Sequence, residues 1–436
     1  MKYIAWALLV VGLSGPATAS TLRVPSEYST IQEAVDAAAS GDEILLASGE
    51  YSGPGNTRIE IIGIDLVLRS ESGPRATRIA APPSDSETWA FRVVLGTGNA
   101  VTISGIGFEF LAGRFGAAIS ASGQGVIRVQ NCDFMDCESP ATNGSESGGA
   151  VLVDGEVDAA FLGCRFLRNI ATRGGGLSIQ TSAPVTIDEC TFRANSGGGL
   201  WLGRSSSVSV LGSQFNNHGG KGALVTEPGN DVSIERSLFV SNSGISLQSA
   251  SVRNCTFTRN HMSLIDGPGG VLQILSGPVT LDRCIVRGNC ANSGVADIMA
   301  YGPLFVTCCA VDSSGISGWE HIVFDGPQVW EDPMFCDPEV CGLGNDGRAS
   351  RYELDIASPC SALLSPCGDT IGVYEVGCGD SLGACCVQDI CTLLPANDCE
   401  DAGGGFLGEG TACEPNPCFA VPVVKKSWGE VKRLFR

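Results

Sequence analysis

Apolar residues recur along the middle of the chain in columns, at a period of about 25 residues, which is the range of a solenoid. One column is aromatic: Phe108, Phe134, Phe166, Phe192, Phe215, Phe239 and Phe257, continued by Val286 and Val311. Two positions earlier stand Ile106, Cys132, Cys164, Cys190, Ser213, Ser237, Cys255, Cys284 and Cys309. Five positions before the aromatic the column reads Ile103, Val129, Phe161, Ile187, Val210, Ile234, Val252, Leu281 and Val306. Within each half of the repeat apolar and polar positions alternate, as on strands with one buried face. Between the halves the phase slips by one residue, which predicts a corner. Three residues after the aromatic stand Asn169, Asn195, Asn242, Asn260 and Asn289, with His218 in one copy. Asparagine tolerates the left-handed backbone of a sharp turn, and stacked amides can bond to one another.

A coil of this length cannot bury its own apolar faces. Coils stacked at about 4.8 Å bring like residues into contact, so the sequence repeats. Upstream, Ser29–Gly41 predicts a helix, with Ser29/Gln32 or Thr30/Glu33 as a capping box and Gly41 as its stop. Ile31, Ala34, Val35 and Ala38 line one face, suited to plugging the open end of the first coil.

These features resemble the right-handed parallel β-helix, or pectin-lyase-like, family. The opening TIQEAVDAAASGDEILLASGEYSG and the segment DPMFCDPEVC…YELDIASPC…IGVYEVGC carry the likeness from about Thr21 to Cys378. The Phe-x-x-Asn copies with their following glycines are similar to repeats of polymorphic outer-membrane protein adhesins. The resemblance implies an all-β, right-handed parallel solenoid with an N-terminal capping helix. It is weak for function, because the fold hosts lyases, hydrolases, esterases and adhesins.

Composition refines this. The chain has 436 residues, 58 of them glycine, with 17% charged residues and a formal net charge of −20. Such a surface repels nucleic acid and anionic lipid, and polyuronates unless a divalent cation bridges the two. Residues 1–19, with Lys2, an apolar run and Ala17-Thr18-Ala19, read as an export signal. No later stretch suits a bilayer span. Only four of the twenty cysteines precede residue 250. The column from Cys132 to Cys309 is expected to be buried free thiols, since parallel side chains bridge poorly. Cys336, Cys341, Cys360, Cys367 and Cys378 are expected to staple the last coil. Cys385, Cys386, Cys391, Cys399, Cys413 and Cys418 read as a small three-disulfide module whose pairing the sequence leaves open. The domains are thus 1–19 signal, 20–378 β-helix, 379–418 disulfide module and 419–436 basic amphipathic tail.

No metal or cofactor site is expected: Cys-x-x-Cys pairs are absent and His218, His261 and His321 are scattered. Two Gly-x-Gly-x-x-Gly matches, from Gly342 and Gly403, open no helix after a strand and are set aside. The catalytic candidates sit four residues before the aromatic column: Asp188, Glu235, Arg253 and Asp282. Carboxylates two coils apart would be about 9.6 Å from one another, near the spacing of inverting glycosidases. Alternating charges along a stack also describe an exposed ion-pair ladder. A hydroxyl stripe (Thr102, Thr186, Ser209, Ser233, Ser251, Thr280) offers either a glycan contact or a plain solvated face. The reading is an exported cell-surface or extracellular scaffold that binds a glycan or a surface without catalysis. The rival is a polysaccharide lyase or glycoside hydrolase.

Overall fold

Two corners per coil set this architecture, and both are made by single residues in the left-handed region. A computed structural model describes residues 19–81, 87–140, 148–203, 207–220, 222–262, 271–291, 297–337, 352–379, 382–387, 390–394, 399, 400, 402, 404–414 and 416–418. The export signal, Cys341 and the tail therefore lie outside the described residues. The chain divides into two units, residues 1–232 and 233–436.

In the first unit the helix Ile31–Ala37 is capped by Thr30, whose hydroxyl accepts from the Glu33 amide. The Glu33 carboxylate reaches back to the Ser29 amide and hydroxyl. The helix ends at Ala37, earlier than the glycine stop implies, and buries Ile31, Ala34 and Val35. Parallel strands follow in register: Leu66–Ser70 on Asp42–Leu46, then Phe91–Ser104, Ile119–Gln130 and Val151–Leu162. A second, short-stranded sheet carries the aromatic column. Phe108, Phe134, Phe166, Phe192 and Phe215 pair rung to rung and stack with ring centroids 4.6–5.0 Å apart. Two earlier rungs, Tyr51 and Ile79, extend the column downward; without a phenylalanine they escape the repeat pattern.

The phase slip is a left-handed residue immediately before the cysteine column: Asn131, Gly163, Glu189 and Gly212. The second corner is likewise the residue before the asparagine, at Arg168, Ala194 and Asn217, and not the asparagine itself. The asparagine supports the turn from inside. The Asn169 amide donates to Asn195 Oδ1 at 3.0 Å and to the Phe134 carbonyl at 3.1 Å, while its Oδ1 accepts from the Cys137 amide. His218 completes the ladder, its Nδ1 accepting from the Asn195 amide at 3.2 Å. Burial lowers its pKa to about 3.

The second unit repeats the scheme. Phe239 stacks on Phe257 at 4.7 Å. Asn242 donates to Asn260, Asn260 to Asn289, and Asn289 to the buried Asp297 at 2.7 Å. In both units the column thiols are fully buried and carry no disulfide. Each donates to the carbonyl two residues earlier, as Cys190 does to Asp188 and Cys255 to Arg253. Ser213 and Ser237 make the same bond with a hydroxyl, which explains the substitution.

Residues 352–379 fold back on the second unit, tied by Cys308–Cys367 and Cys336–Cys378. Cys360, expected among the staples, is instead a buried thiol. Its place among Ile285, Ala310 and Ile371 makes it a core residue. Beyond, three antiparallel strands, Gly383–Val387, Ile390–Leu394 and Gly405–Glu409, are bridged by Cys385–Cys399, Cys386–Cys418 and Cys391–Cys413. Among the described residues no helix is long and apolar enough to cross a membrane.

Candidate functional site

The first unit carries a groove of about 590 Å³. Its floor is the outward face of the long strands, where Arg92, Ser120 and Leu152 are register neighbours. Loops between strands supply its walls: Trp89, Arg114 and the half-exposed Phe115. Gly116 is required where wall meets floor. Its φ is +65°, and a Cβ there would lie 2.3 Å from the Ile119 carbonyl oxygen.

Three arginines converge on this groove. The Arg92 guanidinium sits 4.8 Å from the Trp89 ring centre and 3.2 Å from the Glu60 carboxylate. Arg58 donates to the Glu87 carbonyl at 3.0 Å, and Arg114 lies 3.7 Å from the Glu87 carboxylate. The Arg92 contact sets one guanidinium plane against the Trp89 ring. Apolar ring faces beside planar donor forks suit a ligand with both C–H faces and many hydroxyls or a carboxylate. Trp89, Arg114 and Phe115 escaped the sequence reading because they come from irregular loops that share no period. The clue available was Trp89 and Arg92 close together in a chain with only 17% charged residues.

The candidates of the corner column are placed as follows. Asp188 ends the strand Val185–Asp188 in the first unit, opposite Leu162 and Leu211. Glu235, Arg253 and Asp282 lie in the second unit. The Arg236 amide donates to the Arg253 carbonyl, so Glu235 and Arg253 stand on neighbouring rungs. Arg253 pairs directly with Asp282, Nε to Oδ2 at 3.3 Å, both partly exposed. Asp282 also receives Arg283 at 3.3 Å, and Arg283 reaches Asp369 at 2.5 Å. Within the column Arg253 and Asp282 thus form an ion pair, with Asp282 shared between two cations. The hydroxyl stripe is interrupted in register by Arg128, Ala160 and Phe305.

Among the described residues one set of side chains is close enough to share a metal, Cys386, Cys391 and Cys418. All three sulfurs are already spent in disulfides.

The family description "Right handed beta helix region" matches residues 92–239 and 149–309, which together span half of the chain. The chain belongs to the right-handed β-helix family. Its solenoid is similar to the crystal structure of pectate lyase Pel9A, with 16% identity, a TM-score of 0.52, and coverage of 83% of this chain and 98% of that one. That likeness is one of fold. Weaker likenesses, which carry no argument, are to the periplasmic alginate epimerase AlgG and to a PL6 alginate lyase in complex with a trisaccharide. The former has 10% identity, TM-score 0.44, and covers 66% of this β-helix protein and 77% of the epimerase. The latter has 14% identity, TM-score 0.39, and covers 88% and 89%. No curated protein matches the chain.

Proposed function

We propose that this β-helix protein is exported and binds glycan chains, without cleaving them, in the groove walled by Trp89 and Phe115. The observation that carries the reading is the meeting of two aromatic faces and three arginines over a serine-lined floor. The lining also holds Glu87 and Asp154, and Arg92 and Arg114 pair with Glu60 and Glu87, so neutral as well as acidic sugars belong among the ligands tested. Export is supported by the signal-like residues 1–19 and by the disulfides, which persist in oxidising compartments. The division into 1–19, 20–378, 379–418 and 419–436 is part of the same proposal.

The rival reading, a lyase or hydrolase, rests on Asp188, Glu235, Arg253 and Asp282. One experiment separates the two. The protein is incubated with a polysaccharide panel while bound sugar, new reducing ends and unsaturated products are measured. Binding that is lost in Trp89→Ala and Arg92→Ala, with no turnover, is the expected result. Turnover abolished by Glu235→Gln would overturn the scaffold reading.

A further inference from the structure

Buried polar atoms without a partner gather at one corner of the second unit. Among the described residues, Thr258 Oγ1 and Arg259 Nε have no hydrogen-bond partner, and neither has Ser241 Oγ. Val240 and Thr258 are register partners, so Ser241 and Arg259 stand on neighbouring rungs, both with left-handed backbone. Thr258 is only 1% exposed. A buried orphan donor is costly and points to a partner still to be supplied. Thr258 and Arg259 line a cavity of about 160 Å³, walled on another side by Pro333 and the half-buried Phe335. The two groups converge: the point where a Cβ on Gly288 would sit is 3.4 Å from Thr258 Oγ1 and 3.5 Å from Arg259 Nη1. Neighbouring arginines are already engaged. Arg253 reaches Asp282, Arg283 reaches Asp369, and Arg287 reaches Asp312 and the carbonyls of Val311 and Trp330.

We propose that this cavity binds a small carboxylate, held by Arg259 and Thr258. A guanidinium fork matches the plane of a carboxylate, and a threonine hydroxyl can donate to one of its oxygens. A cavity of ~150 Å³ takes up a benzene-sized molecule, so the substituent is small and rests against Pro333 and Phe335. The two aspartates that also line the cavity do not take its place. Asp312 is held by Arg287 and accepts from the Ser314 amide and hydroxyl at 2.9 and 2.7 Å. Asp332 is exposed and accepts from the Met334 amide at 2.9 Å. Their charges disfavour a dianion, which selects a carboxylate over phosphate or sulfate. The site belongs to the second unit and is independent of the glycan groove.

Acetate is the probe, titrated into the full chain at constant ionic strength, with acetamide and chloride as controls. The arginine Nε–H resonances report on the orphan donor directly, and the Arg259 signal is the one that Arg259→Lys removes. Acetate is expected to shift that signal saturably, whereas acetamide and chloride leave it in place. At acetate ten times its Kd, amide protection at residues 256–262 should rise about tenfold, since a ligand lost on opening stabilises by that factor. Thr258→Val keeps the shape, removes the hydroxyl and should weaken acetate about tenfold. Absence of a saturable shift means that ordered water alone fills the cavity, and overturns the proposal. An equal response to acetamide or chloride overturns it too, as does unchanged affinity in Thr258→Val.

Discussion

The residue just before each aromatic rung points out of the short-stranded sheet, and it changes character between the two units. In the first unit the positions are Asp133, Arg165, Thr191 and Gln214. Arg165 is exposed and the other three are partly buried, and Asp133 and Arg165 pair across adjacent coils, as do Asp136 and Arg168 at 2.6 Å. In the second unit the same positions are Leu238, Thr256, Ile285 and Ala310, all buried. Residues 352–379 cover them. Tyr352 packs with Leu238 and Val240, and Leu354, Cys360 and Ile371 pack with Ile285 and Ala310. The covering chain is also bonded in place: the Val373 amide donates to Thr256 Oγ1 and the Gly372 amide to the Arg283 carbonyl. Inward columns are thus alike because every coil meets another coil. Outward columns differ because they report what lies on the far side.

The largest effect should come from exchanging these characters. Leu238→Asp buries a carboxylate without a partner and is expected to cost about 4–5 kcal/mol. Asp133→Leu, at the corresponding position of the first unit, exchanges a partly buried, ion-paired carboxylate for an apolar side chain and should change stability by about 1 kcal/mol or less. Two units need not unfold together, so the readout is local hydrogen exchange in each, not a single melting point. Similar losses at both positions would break the contrast.

Next in size is the staple that holds the cover. Cys308→Ser/Cys367→Ser opens a bridge spanning 59 residues, worth about 4 kcal/mol on the chain-entropy scale. Exchange should rise across residues 352–379 and at Ile285. The column thiols give the matching control. Cys190→Ser should be close to neutral, because Ser213 already makes that bond one rung away.

The inward columns, the aromatic stack and the buried thiols were legible in the sequence because matching neighbours impose a period. The corners were legible only as a phase slip. What the fold requires there is a backbone angle, and Asn131, Gly163, Glu189 and Arg236 all supply it. The cover was written in the sequence as well: a run from Asp133 and Arg165 to Leu238 and Ile285 signals a second surface, although the inward columns alone conceal it. The groove was not legible, since Arg58, Trp89 and Phe115 belong to coils of unequal length and meet only in space.

The polar ladders separate the units by pH. Burial raises Asp297, at the end of the second unit's asparagine ladder, to about 6. A carboxyl with a raised folded-state pKa stabilises fully below its unfolded value, near 3.8, and that contribution is lost as pH rises through about 6. About two units correspond to about 3 kcal/mol at most. His218, in the first unit, runs the other way. Its folded-state pKa is depressed to about 3, so its contribution is present above about 6.5 and lost as pH falls toward 3. Exchange at the Asn260–Asn289 rungs should therefore increase between pH 4 and 6, and exchange at the Asn169–Asn195 rungs should increase on acidification. Asp297→Asn, which keeps an oxygen to accept from Asn289, should flatten the first profile. A slope that persists in that variant would remove Asp297 as its source.

The smallest effect is the most informative about the uncovered face. Arg165→Ala breaks the pair with Asp133 and should cost about 1 kcal/mol, shrinking with salt, because the Arg165 side chain is 46% exposed. In the second unit the pair does more, because Arg283 binds Asp369 of the covering segment and not a residue of the next coil. Arg283→Ala removes a tie between coil and cover as well as a charge pair. Its loss should exceed that of Arg165→Ala, resist salt more, and appear as faster exchange at residues 369–373. Equal losses with equal salt dependence would mean that the cover draws no strength from its charged edge, and that the buried leucine and isoleucine rungs hold it alone.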